Sequence, residues 1–237
     1  MHTTLLDRQT IAEGTMLFRL QKPEGFTFTA GQHIDLTLID PPQTDAEGNT
    51  RSYSICAAPQ EDTLAVATRM RDTAFKRSLA TLPLGTEIAL AGPSGSFFLH
   101  ENATRPAVFI AGGIGITPFR SIILDALARD LPHQLTLLYS NRRPEDAAFL
   151  EELQMLQQKS PRFVCVATMS NMEHSTKEWQ GERGHIDEAM IERHVPRTVN
   201  PVYYIAGPQG MVLAMRQVLT RLGVSSDDIR FEEFMGY

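Results

Sequence analysis

The chain has 237 residues, of which 42% are hydrophobic and 21% charged. That balance belongs to a folded globular protein and excludes a disordered one. The formal net charge of −6 argues against a general nucleic-acid binder, which needs a basic face, and two cysteines cannot supply the four thiolates of a typical iron–sulfur cluster. Any redox cofactor held by this chain alone is therefore expected to be organic.

In chain order, the first half reads as short, punctuated strands: residues 16–20, 34–38, 53–55, 64–66 and 87–90. Gly, Pro and Asp separate them, as in Pro23-Glu24-Gly25 and Gly92-Pro93-Ser94-Gly95, a rhythm that predicts a small antiparallel barrel. One helix is expected over 74–82, and the polar stretch 40–50 is expected to be a loop. From Pro106 onward the pattern becomes strand–helix alternation. Strands are predicted at 107–111, 134–139, 163–168, 202–206 and 229–234. Helices are predicted at 118–130, 144–158 and 208–222. Such alternation predicts a parallel sheet with helices on both faces. The boundary falls near 100–105, giving domains of 1–102 and 103–237.

Cys56 and Cys165 lie within apolar runs and are read as small buried hydrophobes, with a reducing compartment. The N-terminus lacks a signal peptide's basic and apolar regions. No run approaches the roughly 18 apolar residues of a membrane span. A cytoplasmic protein without a membrane span is expected. His33, His100, His133 and His185 are scattered without metal-ligand spacing, and no metal site is expected.

The sharpest local feature is Ala111-Gly112-Gly113-Ile114-Gly115-Ile116-Thr117-Pro118. A buried strand runs into glycines and then a helix. Missing Cβ atoms let backbone N–H groups approach a pyrophosphate, and the helix end adds partial positive charge. Thr117 is expected as the N-cap and Pro118 as the first helical residue. Pro118 stands where the usual G-x-G-x-x-G has its third glycine, so a plain tight turn remains an alternative reading. Arg51-Ser52-Tyr53-Ser54 places Arg51 and Tyr53 on one strand face and Ser52 and Ser54 on the other. By itself it reads as an ordinary edge strand.

These two motifs, with Gly92-Pro93-Ser94-Gly95 between them and Ala206-Gly207-Pro208 after them, form a succession that resembles the ferredoxin–NADP reductase-like superfamily. The likeness runs from Gly31-Gln32 to Glu233-Phe234. It implies a flavin-binding antiparallel Greek-key β-barrel followed by an α/β parallel-sheet nucleotide-binding domain. It further implies an enzyme, an NAD(P)H:acceptor oxidoreductase. Such an enzyme takes electrons from NADH or NADPH and passes them through FAD, with FMN less favoured, to a separate electron-carrier protein or small molecule.

The resemblance assigns roles as well. Arg51 would bind a flavin phosphate, Tyr53 would pack on the flavin, Ser54 would lie near flavin N5, and Ser52 would belong to the same site. Ala67, Thr68 and Arg69 would supply backbone contacts. Lys76 stands where relatives carry a serine, and is either a replacement cation for the phosphates or a solvated lysine. Gly112, Gly113, Gly115, Thr117 and Pro118 would line the dinucleotide site, with Gly207, Pro208 and Met211 at the nicotinamide end. Ser140, Asn141 and Arg142 would line the adenosine end. Ala206 replaces a cysteine common in relatives, which removes any mechanism needing a thiol there. Arg142 and Arg143 suit a 2′-phosphate but read as well as solvated charges. Ser170-Asn171-Met172 lacks the arginine that plant-type NADP enzymes place beside the equivalent serine, so NADH is favoured. Glu233 is expected near the flavin or nicotinamide, and Tyr237 as a terminal aromatic over the flavin. A non-catalytic flavin- or nucleotide-binding regulatory subunit, or a scaffold without flavin, are the competing readings.

Overall fold

The computed structural model describes residues 1–196 and 200–234. Its first six strands are β1 (His2–Ala12), β2 (Thr15–Gln21), β3 (His33–Leu38), β4 (Thr50–Ser54), β5 (Thr63–Arg69) and β6 (Glu87–Ser94). They form one antiparallel sheet in the order β4-β3-β6-β1-β2-β5. Period-2 burial sets the inner face: Ile34, Leu36 and Leu38 are buried while His33, Asp35 and Thr37 are half-exposed. The sheet curls until its ends meet. Just beyond β4, the Cys56 N–H donates to Ala65 O of β5 at 2.9 Å. Helix α1 (Ala74–Thr81) follows β5 and buries Phe75 and Leu79 in the barrel core.

The second half carries β7 (Ala107–Gly112), β8 (Leu135–Asn141), β9 (Phe163–Met169), β10 (Glu182–Arg183), β11 (Val202–Pro208) and β12 (Ile229–Phe234). These are parallel, in the order β10-β9-β8-β7-β11-β12. The chain walks outward from β7 to β10 and then returns to the other side of β7. The order therefore reverses between β7 and β11, the crevice where open α/β sheets bind ligands. Helices α2 (Ile116–Ala128) and α3 (Leu150–Lys159) cover one face through Phe119, Ile122 and Leu153. Helices α4 (Glu188–His194) and α5 (Gln209–Arg221) cover the other through Ile191, Val212 and Leu219. Burial on both faces explains why β7 reads as an unbroken apolar run. Among the described residues, no helix is long and apolar enough to cross a membrane.

Four expectations need correction. Strand β1 has no counterpart in the sequence reading, although it is the longest strand of the barrel. Only Thr3 and Leu5 of it are fully buried, and register shifts at Leu5/Asp7 and Thr10/Ala12 break its alternation. β10 and α4 were likewise not foreseen; they have two and seven residues, too few to establish a period. The helix expected over 144–158 is two pieces. A 3-10 turn at Pro144–Asp146 ends in left-handed Phe149 (φ 60°), and only then does α3 begin. Asp146, at the end of the 3-10 turn, is buried and paired with Arg143 and Arg69. Finally, α2 begins at Ile116 with Gly115 as its N-cap, so neither Thr117 nor Pro118 takes its expected position. Thr117 turns its hydroxyl back to donate to Ile114 O at 3.0 Å.

The two halves are joined through their cores. Phe97, at the end of the barrel, lies 5.6 Å from Phe119 of α2 and 5.7 Å from Tyr204 of β11, ring centre to ring centre. Such aromatic contacts are worth about 0.5–1.5 kcal/mol each beyond their buried area. Gly31 is required here: a Cβ on it would run into the Phe97 carbonyl.

Candidate functional site

The glycine-rich turn is built by close approach. After β7, residues Gly113–Gly115 form a 3-10 turn with Gly113 at φ 53°. A Cβ on Gly115 would fall 2.7 Å from Gly207 Cα and closer still to Ala206 O. A Cβ on Gly112 would collide with Met211 Sδ and come within 3.1 Å of Pro208. Gly112, Gly115, Gly207, Pro208 and Met211 are thus one packed group at the switch point. No side chain caps the start of α2, which leaves that positive helix end facing the crevice. The turn also faces the barrel, since Cα atoms of β5 lie within 8 Å of it and β5 in turn lies beside β4. β4 and β11 are thus both neighbours of the strip formed by β5 and Gly113–Gly115.

On the barrel wall, Arg51 and Tyr53 pair with Leu36 and Ile34 across the sheet and share their face. Tyr53 is buried and its ring lies 6.2 Å from that of Phe75. Its hydroxyl, on the side of Thr68, has no hydrogen-bond partner, and burial pushes its pKa up. Ser52 and Ser54 lie on the opposite face, Ser52 exposed and bonded to Asp35, Ser54 half-exposed opposite His33. Ala67 and Thr68 are buried in β5. Lys76 is held by its ammonium group, which donates to Arg69 O at 2.7 Å. Burial, followed by the charges of Arg71 and Arg51, pushes its pKa down. The nearby Glu47 carboxylate acts in the opposite direction on Lys76.

These observations test the fit of the two groups the fold implies. An orphaned buried phenol beside a cationic cluster suits a flavin bearing phosphate. A backbone cradle that a single Cβ would fill suits a dinucleotide. Both fit.

At the outer part of the crevice, Ser140 pairs with Gly112 and Asn141 with Met169. Asn141 is buried, and neither amide atom has a partner, so its full hydrogen-bonding capacity is unspent. Arg142 is exposed, and its carbonyl accepts the Asn171 N–H at 2.8 Å. Arg143 is committed to Asp146 and Glu13 at 3.0 Å each. Beyond them an open groove of about 780 Å³ is lined by Met169, Ser170, Lys177, Trp179 and Arg183 at the strand ends.

Glu233 and its neighbour Glu232 lie on opposite faces of β12. Arg230 lies 5.3 Å over the Tyr204 ring and donates to Phe98 O at 2.8 Å, so it faces the barrel. Phe231 instead meets Arg216 of α5. Alternation along β12 then puts Glu232 on the barrel side and Glu233 on the α5 side. Burial pushes the Glu232 carboxyl from 4.5 up to about 7. The raised value means that the folded state favours the neutral acid. Its stability is intact below about pH 4.5 and is lost as pH rises through about 7. Glu232→Gln is expected to flatten the urea-stability profile between about pH 5 and 8; an unchanged profile would show that Glu232 is well solvated. Tyr237 lies outside the described residues.

Sequence reasoning missed the side chains that tie the walls together. Arg120 of α2 donates to Glu152 of α3 at 2.7 and 2.8 Å and to Cys56 O just past β4. Ser121 donates to Ala57 O at 2.6 Å. Arg69 of β5 pairs with Asp146 at 3.5 Å. No sequence pattern marks these residues, because their contacts span 32 positions for Arg120–Glu152 and 64 for Arg120–Cys56 and Ser121–Ala57. Cys56 and Cys165 are both unpaired thiols whose pKa burial raises to about 12.

Comparison with known proteins agrees with this geometry. The oxidoreductase FAD-binding domain matches residues 2–99, and the oxidoreductase NAD-binding domain matches 109–217. Ferredoxin–NADP reductase B of Sorangium cellulosum is 30% identical, over 89% of this chain and 87% of its own. The glycine betaine monooxygenase reductase subunit of Chromohalobacter salexigens is 28% identical, over 93% of this chain. The chain spans only 60% of that relative's length. Among solved structures, the cytochrome P450 reductase GcoB of Amycolatopsis superposes with a TM-score of 0.83 at 27% identity, covering 98% of this chain and 68% of that one. The chain belongs to the ferredoxin–NADP reductase-like family of oxidoreductases, with an FAD-binding barrel followed by an NAD-binding domain.

Proposed function

We propose that this chain takes electrons from a reduced nicotinamide dinucleotide bound to residues 103–237 and passes them through FAD bound to residues 1–102. They leave to a separate electron-carrier protein or small-molecule acceptor. The observation that carries this reading is the meeting of the two halves: β5 of the barrel lies against the Gly113–Gly115 turn, which packs on Gly207 of β11. When bound, the flavin supplies the step between two-electron and one-electron chemistry. The protein's part is to hold two rings in contact and keep them there.

In this reading, Arg51 and Lys76 hold the flavin phosphates, the Tyr53 hydroxyl finds its missing partner, and Ser54 offers its hydroxyl to the ring. Ala67, Thr68 and Arg69 line the flavin with β5 backbone. Gly112, Gly113 and Gly115 cradle the pyrophosphate at the start of α2, where Thr117 and Pro118 form the first helical turn. Gly207, Pro208 and Met211 wall the nicotinamide end. Ser140 and the unpartnered amide of Asn141 serve the adenosine end, with Arg142 at its rim. Glu232, rather than Glu233, is the carboxyl placed to hold or release a proton at the cleft. NADH is favoured over NADPH, because Ser170 is followed by Asn171 and Met172 rather than by an arginine that could hold a 2′-phosphate. Two unpaired, unreactive thiols support a cytoplasmic setting.

The purified protein tests this directly. A flavin spectrum, bleached without oxygen by NADH faster than by NADPH, is expected. Colour that neither donor bleaches would leave a regulatory flavin-binding subunit. A protein that takes up no flavin would end the redox reading. A second test is Arg51→Ala. Losing one charge-assisted contact is expected to weaken FAD by roughly 2 kcal/mol, about thirtyfold; unchanged affinity would remove Arg51 from the phosphate site.

A further inference from the structure

The loop between β3 and β4 is fastened over the start of α1 by its own polar groups. Gln43 Oε1 accepts from Arg77 Nε at 2.9 Å. Asp45 Oδ2 accepts the Ala74 N–H, in the first turn of α1, at 2.8 Å. The other oxygen of Asp45 accepts the Glu47 N–H at 3.0 Å and lies 3.7 Å from the Arg51 guanidinium. The Glu47 carboxylate accepts from Arg51 at 2.7 Å. The other terminal nitrogen of Arg51 donates to the carbonyls of Glu47, Gly48 and Thr50 at 2.9, 3.1 and 2.8 Å. Lys76 stands beside them, crowded by Arg51 and Arg71. Both Arg51 and the opening N–H of α1 therefore already hold carboxylates.

A helix N-terminus with an adjacent guanidinium is what a phosphate seeks. We propose that Asp45 and Glu47 form an internal anion that occupies the flavin-phosphate subsite, so that the β3–β4 loop competes with flavin and sets its affinity. This rests on the flavin reading above. The contacts are weak enough to yield. The Glu47 side chain is 66% exposed and the Asp45 side chain 32% exposed, and solvated ion pairs contribute little net stability. A pyrophosphate carries more charge and can replace both carboxylates at once. The loop is a strap: its carboxylates hold Arg51 and the start of α1, and a phosphate binding there would release them.

The test is the Asp45→Asn/Glu47→Gln double variant of the full chain, freed of flavin and titrated with FAD and with riboflavin while flavin fluorescence is followed. Riboflavin has the ring and no phosphate. FAD is expected to bind the variant about tenfold more tightly than the unaltered protein, with riboflavin affinity unchanged. Equal or weaker FAD binding by the variant would overturn the strap, and so would an equal gain for riboflavin, which would signal general loosening. If neither protein binds either flavin, it is the flavin reading that fails.

Discussion

Gly115→Ala is expected to damage the protein most for its size. The added methyl group would meet the Ala206 carbonyl and the Gly207 Cα. Both are backbone atoms of a buried strand, and neither can swing aside as a side chain would. Overpacking of this kind usually costs 1–3 kcal/mol, and the backbone obstacle puts this case near the upper end, at about 3 kcal/mol. For a chain of this length that corresponds to a melting point lower by roughly 6–12 °C. The functional loss should be larger. Pushing β11 away from the turn moves the nicotinamide wall against the flavin wall, and a shift of about 1 Å can reduce a reaction rate by about a hundredfold. Stopped-flow reduction by NADH should show that loss while the flavin spectrum persists, because Arg51, Tyr53 and β5 are untouched. Normal reduction rates would mean that the turn tolerates a side chain and is not the dinucleotide cradle.

Arg120→Ala is the second large effect, and it acts through the junction rather than the cleft wall. Arg120 is buried, and its burial alone would lower its pKa; the Glu152 carboxylate and neighbouring charges more than offset that and hold it charged. Removing it strands Glu152 and frees the Cys56 carbonyl. Breaking one side of a buried pair is worth about 3–5 kcal/mol. Glu152 is one-third exposed, which places the expected loss at about 3 kcal/mol. Arg120→Lys should recover little, since an ammonium cannot make the paired contact to Glu152 and also reach Cys56. Replacing both Arg120 and Glu152 by leucine should be milder than Arg120→Ala, because the only carboxylate then left without Arg120 is the more exposed Glu61, 3.8 Å away. Thermal melts of the three variants distinguish these outcomes. A double variant less stable than Arg120→Ala would show that the loss comes from packing, not from the stranded charge. Flavin reduction should slow as well, since Cys56 follows β4 directly and Arg120 is one of the few groups that hold that strand to α2.

Much of this protein is legible in its residues one stretch at a time. The change from short punctuated strands to strand–helix alternation near residue 103 is a change of period, and period is local. So is the Gly112–Pro118 turn, where missing Cβ atoms and a following helix declare themselves within a few positions. The order of motifs from Arg51 to Gly207 added the family. The elements that escaped notice are those whose local signal is cancelled. Strand β1 pairs on both sides along only part of its length and is bulged twice. The break at Phe149 accompanies contacts that Asp146 makes with Arg143 and, from β5, Arg69.

The amino-acid sequence by itself determined which backbone segments could be strands, where a phosphate could be cradled, and which residue types were on offer for flavin and nicotinamide. Tertiary structure alone decided which of them meet. It turned Glu232 rather than Glu233 toward the barrel, consumed Arg143 in a junction ion pair, set carboxylates on Arg51, and recruited Arg120 to hold the walls together. Each of those outcomes depends on partners far away along the chain. Charge neutralisation, side-chain burial and strand facing are properties of the assembled neighbourhood, and no window of consecutive residues contains them.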